Sequence, residues 1–162
     1  MATIRAYGIA SQLPGGFEAK IFVRDVPVGV AYAVAQFATF PLPDDVGDFG
    51  SGAVSLMGAV DVYATLFEYG PESLGTVLFA RQGRPAPLSP GDFSPTVLRR
   101  GIPGQSGTQW FFTEAGRPFS FYAVLGSHLQ RGLLVPRVNA LLASLTLSPP
   151  APQTPSDRVA WN

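Results

Sequence analysis

Residues 109–125 read QWFFTEAGRPFSFYAVL, and this stretch decides the fold class. Gln109–Thr113 and Phe119–Leu125 are rich in aromatic residues, and Glu114–Pro118 between them holds a glycine and a proline. The pattern is strand, turn, strand: a β-hairpin late in the chain. Trp110, Phe111 and Phe112 are consecutive, so a strand must send large rings to both faces of its sheet. One face is expected to be core. The other needs the C-terminal helix, a ligand or a partner to cover it.

Working outward, Asp61–Tyr69 is a further strand, ended by Gly70-Pro71. Val30–Phe40 is a continuous apolar run that fits a buried central strand. Thr3–Ile9 and Phe17–Val23 alternate with a period of two, and Leu13-Pro14-Gly15-Gly16 between them predicts an N-terminal hairpin. Ser51–Met57 has the signature of a helical turn capped by Ser51. Gln82–Pro95, with four prolines and two glycines, reads as a long surface connection. On the C-terminal side, Pro136 suits a first helical position, and Val138, Leu141, Leu142 and Leu145 form one apolar stripe at helical spacing. Strands without βαβ alternation, followed by a helix, predict an α+β fold: a twisted antiparallel sheet with a C-terminal helix packed on one face. The expected domain spans residues 1–147. Residues 148–162 carry prolines 149, 150, 152 and 155 and read as an extended tail whose Trp161 is an anchor for docking.

Composition narrows the function. Apolar residues make up 46% of the 162 and charged residues only 14%, the reverse of a disordered chain. So little charge leaves a surface suited to a partner. Net charge is zero and the only adjacent basic pair is Arg99-Arg100, which argues against binding to nucleic-acid phosphates. Ten of the eleven bases are arginine, Lys20 being the exception, and with abundant Ala, Gly, Pro and Val this fits a GC-rich bacterial genome. The chain has no cysteine, so disulfides, thiolate chemistry and cysteine-bound zinc are ruled out. Met1–Arg5 lacks the apolar core of a signal peptide, and no window is apolar enough for a membrane span, so a cytoplasmic location is expected.

Leu13-Pro14-Gly15-Gly16-Phe17, following one strand and opening the next, resembles the opening of PsbP/Mog1-like domains. The late aromatic hairpin and a terminal helix ending in Leu142-Ala143-Ser144-Leu145 are similar too. The resemblance covers residues 3 to about 147. It implies a twisted antiparallel sheet sandwiched by helices, although this chain has few clear helices before residue 130. It also implies a binding, adaptor or chaperone role with no shared catalytic site.

Candidate chemistry is sparse. His128 is the only histidine, and a small enzyme would have to use it; the competing reading is a helix-start residue beside an N-cap at Ser127. Gly104-Gln105-Ser106-Gly107 fails as a nucleophile elbow, because Thr108 stands where the second flanking glycine is needed. Asp44, Asp45 and Asp48 lack the spacing of a calcium loop. Glu68 and Glu114 are a conceivable glycosidase pair. No catalytic residue, metal or cofactor is expected. The function expected is a non-catalytic protein-binding or adaptor module, with a carrier of a small apolar ligand or an enzyme using His128 as alternatives. Its partner, another protein or a second copy, is expected to meet Trp110, Phe112, Tyr122 and Trp161.

Overall fold

The computed structural model describes residues 2–23, 32–44 and 52–150. Its largest element is an antiparallel sheet of five strands: β3 (Glu18–Val23), β4 (Ala33–Ala38), β5 (Val62–Glu68), β6 (Ser106–Glu114) and β7 (Arg117–Leu125), in the order β3-β4-β5-β7-β6. The class is α+β, as expected. A helix, α1 (Arg131–Ser144), packs on one face of this sheet.

The hairpin of residues 109–125 is longer than its sequence suggests. β6 and β7 each run nine residues, with Trp110 opposite Phe121 and Phe112 opposite Phe119. Only Ala115-Gly116 remains as the loop, and both have positive φ, 55° and 72°. That is the backbone a two-residue hairpin requires, because its twist matches that of the strands. Pro118 is tolerated inside a central strand for a positional reason. It lies beside Tyr69, one residue past the end of β5, where its carbonyl accepts from the Tyr69 N–H at 2.9 Å. The N–H it lacks would have served only the frayed end of that ladder.

Every residue of β7 is buried, because the sheet is covered on both sides. Beneath α1 lie Val62, Ala64, Leu66, Phe119, Phe121 and Leu125, meeting Leu134, Val135, Val138, Leu141 and Leu142 of the helix. On the opposite face, Tyr63, Tyr122 and Val124 pack with Ala53 and Val54, while Tyr69, Phe79 and Phe111 cluster with tilted and edge-on rings. That second cover consists of short 3-10 turns, Val54–Leu56 and Val77–Phe79, together with Leu98 and Ile102. Among the described residues no second layer of α-helices faces α1, so the helical sandwich implied by the resemblance is not formed there.

The N-terminal expectation is corrected. Thr3–Ile9 is not one strand and does not pair with Phe17–Val23. The chain turns at Tyr7 (φ 52°) and Gly8 (φ 74°), so β1 (Thr3–Ala6) pairs with β2 (Ile9–Gln12). β2 then pairs with β8 (Leu145–Leu147) in a separate three-stranded sheet, while β3 joins β4 in the large one. Two consecutive residues of positive φ usually announce themselves as Asn-Gly or Asp-Gly. Here a tyrosine holds the first place, and the carbonyls of Tyr7 and Gly8 are gathered by the distant Arg117.

The helix also begins earlier than predicted. Pro136 is its sixth residue, and Gln130, without a side-chain cap bond, stands at the N-cap instead of Ser127. Proline inside a helix removes the bond to the carbonyl four residues back. That carbonyl belongs to Gly132, and both Gly132 and Pro136 are exposed, so water can take the place of the missing bond. Leu145 is not helical; it ends α1 with extended backbone (φ −77°, ψ 135°) and starts β8. Two other expected segments are only partly covered. Ser51 and Val30–Ala31 lie outside the described residues, and the helical turn expected there is the 3-10 turn Val54–Leu56. Gln82–Pro95 is irregular but not merely a surface link. It buries Leu88 and Phe93 in the core, and Asn139 clamps both main-chain polar groups of Leu88, at 2.7 and 2.9 Å. No helix among the described residues is long and apolar enough to cross a membrane.

Candidate functional site

Of the four residues expected to meet a partner, the three that are described do not form one surface. Phe112 is 1% exposed, stacked on Phe119 under α1. Tyr122 is 2% exposed on the other face, where its hydroxyl accepts from the Arg99 N–H at 2.8 Å. Burial raises the pKa of that phenol, and the hydrogen bond and charge of Arg99 only partly oppose it. Both rings are therefore interior, each covered by the domain itself. Trp161 lies outside the described residues. Of the three that are described, Trp110 alone reaches the surface. It is half-buried on β6, its indole N–H donates to Thr108 Oγ1 at 2.8 Å, and the Arg81 guanidinium lies 5.3 Å from its ring centroid.

The other residues weighed from sequence have structural surroundings. Glu68 receives two hydrogen bonds from Arg117, at 2.8 and 2.9 Å, and Glu114 pairs with Arg84. Burial would raise the Glu114 pKa, but the hydrogen bonds and charge of Arg84 outweigh it and hold the carboxyl below its ordinary range. Each carboxylate thus serves its own guanidinium. His128 precedes the helix; its main-chain N–H donates to the Gly104 carbonyl at 2.7 Å, and its buried Nδ1 has no hydrogen-bond partner among the described residues. Gly104 (φ 86°) makes the turn into β6, and Ser106 is fully buried at the start of that strand. Asp45 and Asp48 lie outside the described residues, among which no three His, Cys, Asp or Glu side chains cluster to hold a metal.

Two features escaped the sequence. The first is a polar row crossing all five strands on the face away from α1: Lys20, Gln36, Thr65, Tyr122 and Gln109 stand side by side in register. Gln36 and Thr65 are wholly buried in this row. Buried polar groups need partners, so such a row penalises any slip in strand pairing.

The second is the free edge of β6. Outward main-chain groups alternate along an edge strand. Gly107 exchanges two hydrogen bonds with Ser94, both 2.9 Å. Thr113 is bonded to Arg81 and Gly83, both at 2.8 Å. Between these brackets the outward N–H and C=O groups belong to Gln109 and Phe111, and none has a protein partner among the described residues. The burial pattern agrees at the strand's centre: Thr108 and Phe112 are buried and the three residues between them, Gln109, Trp110 and Phe111, are partly exposed, as are Thr113 and Glu114 at the strand's end. The edge therefore presents a short ladder with an aromatic ring and a guanidinium beside it. Aromatic composition pointed to Trp110, but that β6 is an outer strand follows only from the strand order.

A separate open trough of about 760 Å³ lies between the outward face of the small sheet and the end of α1, lined among others by Thr3, Arg5, Ala10, Ala143, Thr146 and Ser148. Hydroxyls and a guanidinium in an open trough do not make the enclosed apolar chamber that a carrier of an apolar ligand needs. Compared with known proteins, the chain matches no family model, no curated protein and no solved structure.

Proposed function

We propose that this chain is a non-catalytic protein-binding or adaptor module that engages its partner at the β6 edge beside Trp110. The observation carrying this reading is the bracketed gap in that edge, where main-chain donors and acceptors stand open next to a half-exposed tryptophan. Unpaired strand edges are natural templates for another chain, and proteins ordinarily blunt them. Here both ends of β6 are covered and its centre is open. Tryptophan and arginine are also the residues that most often dominate interface energies. The resemblance to PsbP/Mog1-like domains leans the same way, as does the low surface charge. A place in a larger assembly, such as a secretion or phage-like machine, belongs to this proposal through fold analogy alone.

Affinity capture from the source cells tests it, comparing the natural protein with Trp110→Ala. The expected result is a partner recovered by the natural protein and depleted in the variant, with the circular dichroism of the two alike. Equal recovery by both, or none by either, would refute the reading.

A further inference from the structure

We infer that the β6 edge binds a short extended peptide segment by strand addition, and that the segment carries an acidic residue opposite Trp110. The inference rests on the protein-binding reading and deepens it by naming the chemistry of the partner. Main-chain groups are the first determinant. Gln109 and Phe111 each offer an outward N–H and C=O, and the buried side-chain amide nitrogen of Gln109 has no acceptor among the described residues either. An added strand would exchange hydrogen bonds with residues 109 and 111, and would face Trp110 across a close, non-hydrogen-bonded pair.

Charge is the second determinant. The Arg81 main chain is bonded to Thr113 at the edge, so its side chain reaches back over the Trp110 ring from the side where the new strand would lie. Arg81 is exposed and has no acidic partner among the described residues. A carboxylate on the residue opposite Trp110 meets this guanidinium, and its stem lies along the indole. Arg99, which donates to Gln109 Oε1 at 3.3 Å, adds positive charge on the other side of the strand.

Shape selects a peptide over a second copy. The brackets at Ser94 and at Arg81–Gly83 each project one strand spacing beyond β6, about 4.8 Å. Two copies meeting edge to edge would collide bracket against bracket before their ladders could join. A single extended segment fits between them. Gly107 and Thr113 are six residues apart, about 20 Å of strand, so the paired core is about three residues long.

The probes are the synthetic peptide acetyl-Thr-Val-Asp-Val-Thr-Val-amide, its lysine counterpart with Lys for Asp, and the acidic peptide N-methylated on alternate residues in both phases. Amide hydrogen exchange and chemical shifts of the full chain are read by NMR. The acidic peptide is expected to protect the Gln109 and Phe111 amides. The lysine peptide should bind roughly five- to tenfold more weakly, and Arg81→Glu should reverse that preference. Gln109→Pro removes an outward N–H together with the side chain that accepts from Arg99, and should abolish binding; Gln109→Ala, which keeps the N–H, should still bind. If the proline variant does not fold, N-methylation in one phase abolishing binding makes the same point with the protein untouched. Unchanged protection at residues 109 and 111, or equal binding by all the peptides, would overturn the inference. The cellular partner separates the two readings: if it is held equally by the natural chain, Arg81→Glu and Gln109→Pro, strand addition fails and the adaptor reading stands. If the acidic peptide protects both amides but no cellular partner is captured, the adaptor reading fails instead.

Discussion

Replacing Arg117 by methionine should loosen the small sheet from the large one. Arg117 is 4% exposed and donates to both Glu68 oxygens and to the carbonyls of Tyr7, Gly8 and Ser148, at 2.8–3.2 Å. One guanidinium therefore ties β5, the β1–β2 turn and the end of β8 together. Removing it strands a Glu68 carboxylate whose side chain is only 13% exposed. Breaking a buried pair from one side costs about 3–5 kcal/mol, and the access Glu68 keeps to water places this case near 3 kcal/mol. For a chain of this size about 2–4 °C of melting temperature is lost per kcal/mol, a fall of roughly 6–12 °C. The double variant Glu68→Leu with Arg117→Met removes the stranded charge. Tyr7, Gly8 and Ser148 are exposed, so water can take over their carbonyls, and the double variant should lose only about 1 kcal/mol. Thermal melts of the four members of this cycle measure the coupling. Hydrogen exchange locates it: amides of β2 and β8 should exchange faster while those of β5 and β7 hold. A loss below about 1 kcal/mol for Arg117→Met, or a double variant as unstable as the sum of the two singles, would refute the reasoning.

Glu114 has a depressed pKa in the folded protein, so its contribution to stability is complete above the ordinary carboxylate range, near pH 4–4.5, and is lost as pH falls through the folded value. Denaturant midpoints measured against pH should therefore fall on acidification more steeply for the natural protein than for Glu114→Gln. Ala115 stands at φ 55° in the hairpin loop, followed by Gly116, and Ala115→Asn makes the Asn-Gly pair that such loops prefer. A gain of about 0.5–1 kcal/mol in chemical denaturation is expected. Gly126 has no room for a side chain, since a Cβ there would sit 1.9 Å from the Gly58 carbonyl oxygen. Gly126→Ala should cost about 1–3 kcal/mol or more, seen as a lowered melting temperature, because the obstacle is main chain and cannot rotate away. Phe121→Ala empties a ring site under α1 and should cost about 3–5 kcal/mol by the same measurement.

What the sequence determined by itself was everything that depends on neighbouring residues. The strands at Val62–Glu68, Gln109–Thr113 and Phe119–Leu125 follow from their apolar and aromatic runs, and the C-terminal helix follows from Val138, Leu141 and Leu142 at helical spacing. Interior proline hid the helix's first five residues, because local propensity places proline at a helix start while packing of Leu134 and Val135 held the turn before it. Tertiary structure alone decided the rest. The Tyr7–Gly8 turn is held by carbonyl contacts to Arg117, about 110 residues away in sequence, and no window around residue 7 contains that information. Alternation divides Phe111 from Phe112, but it cannot say which face α1 covers and which the 3-10 turns cover. The candidate site is the extreme case. Trp110 stands out in the sequence, yet the open donors and acceptors beside it exist only because β6 was left outermost and bracketed at both ends by Ser94 and Arg81–Gly83. Side-chain pattern tells a strand which way to face; whether a strand has one neighbour or two is settled by long-range pairing, which residue type scarcely encodes.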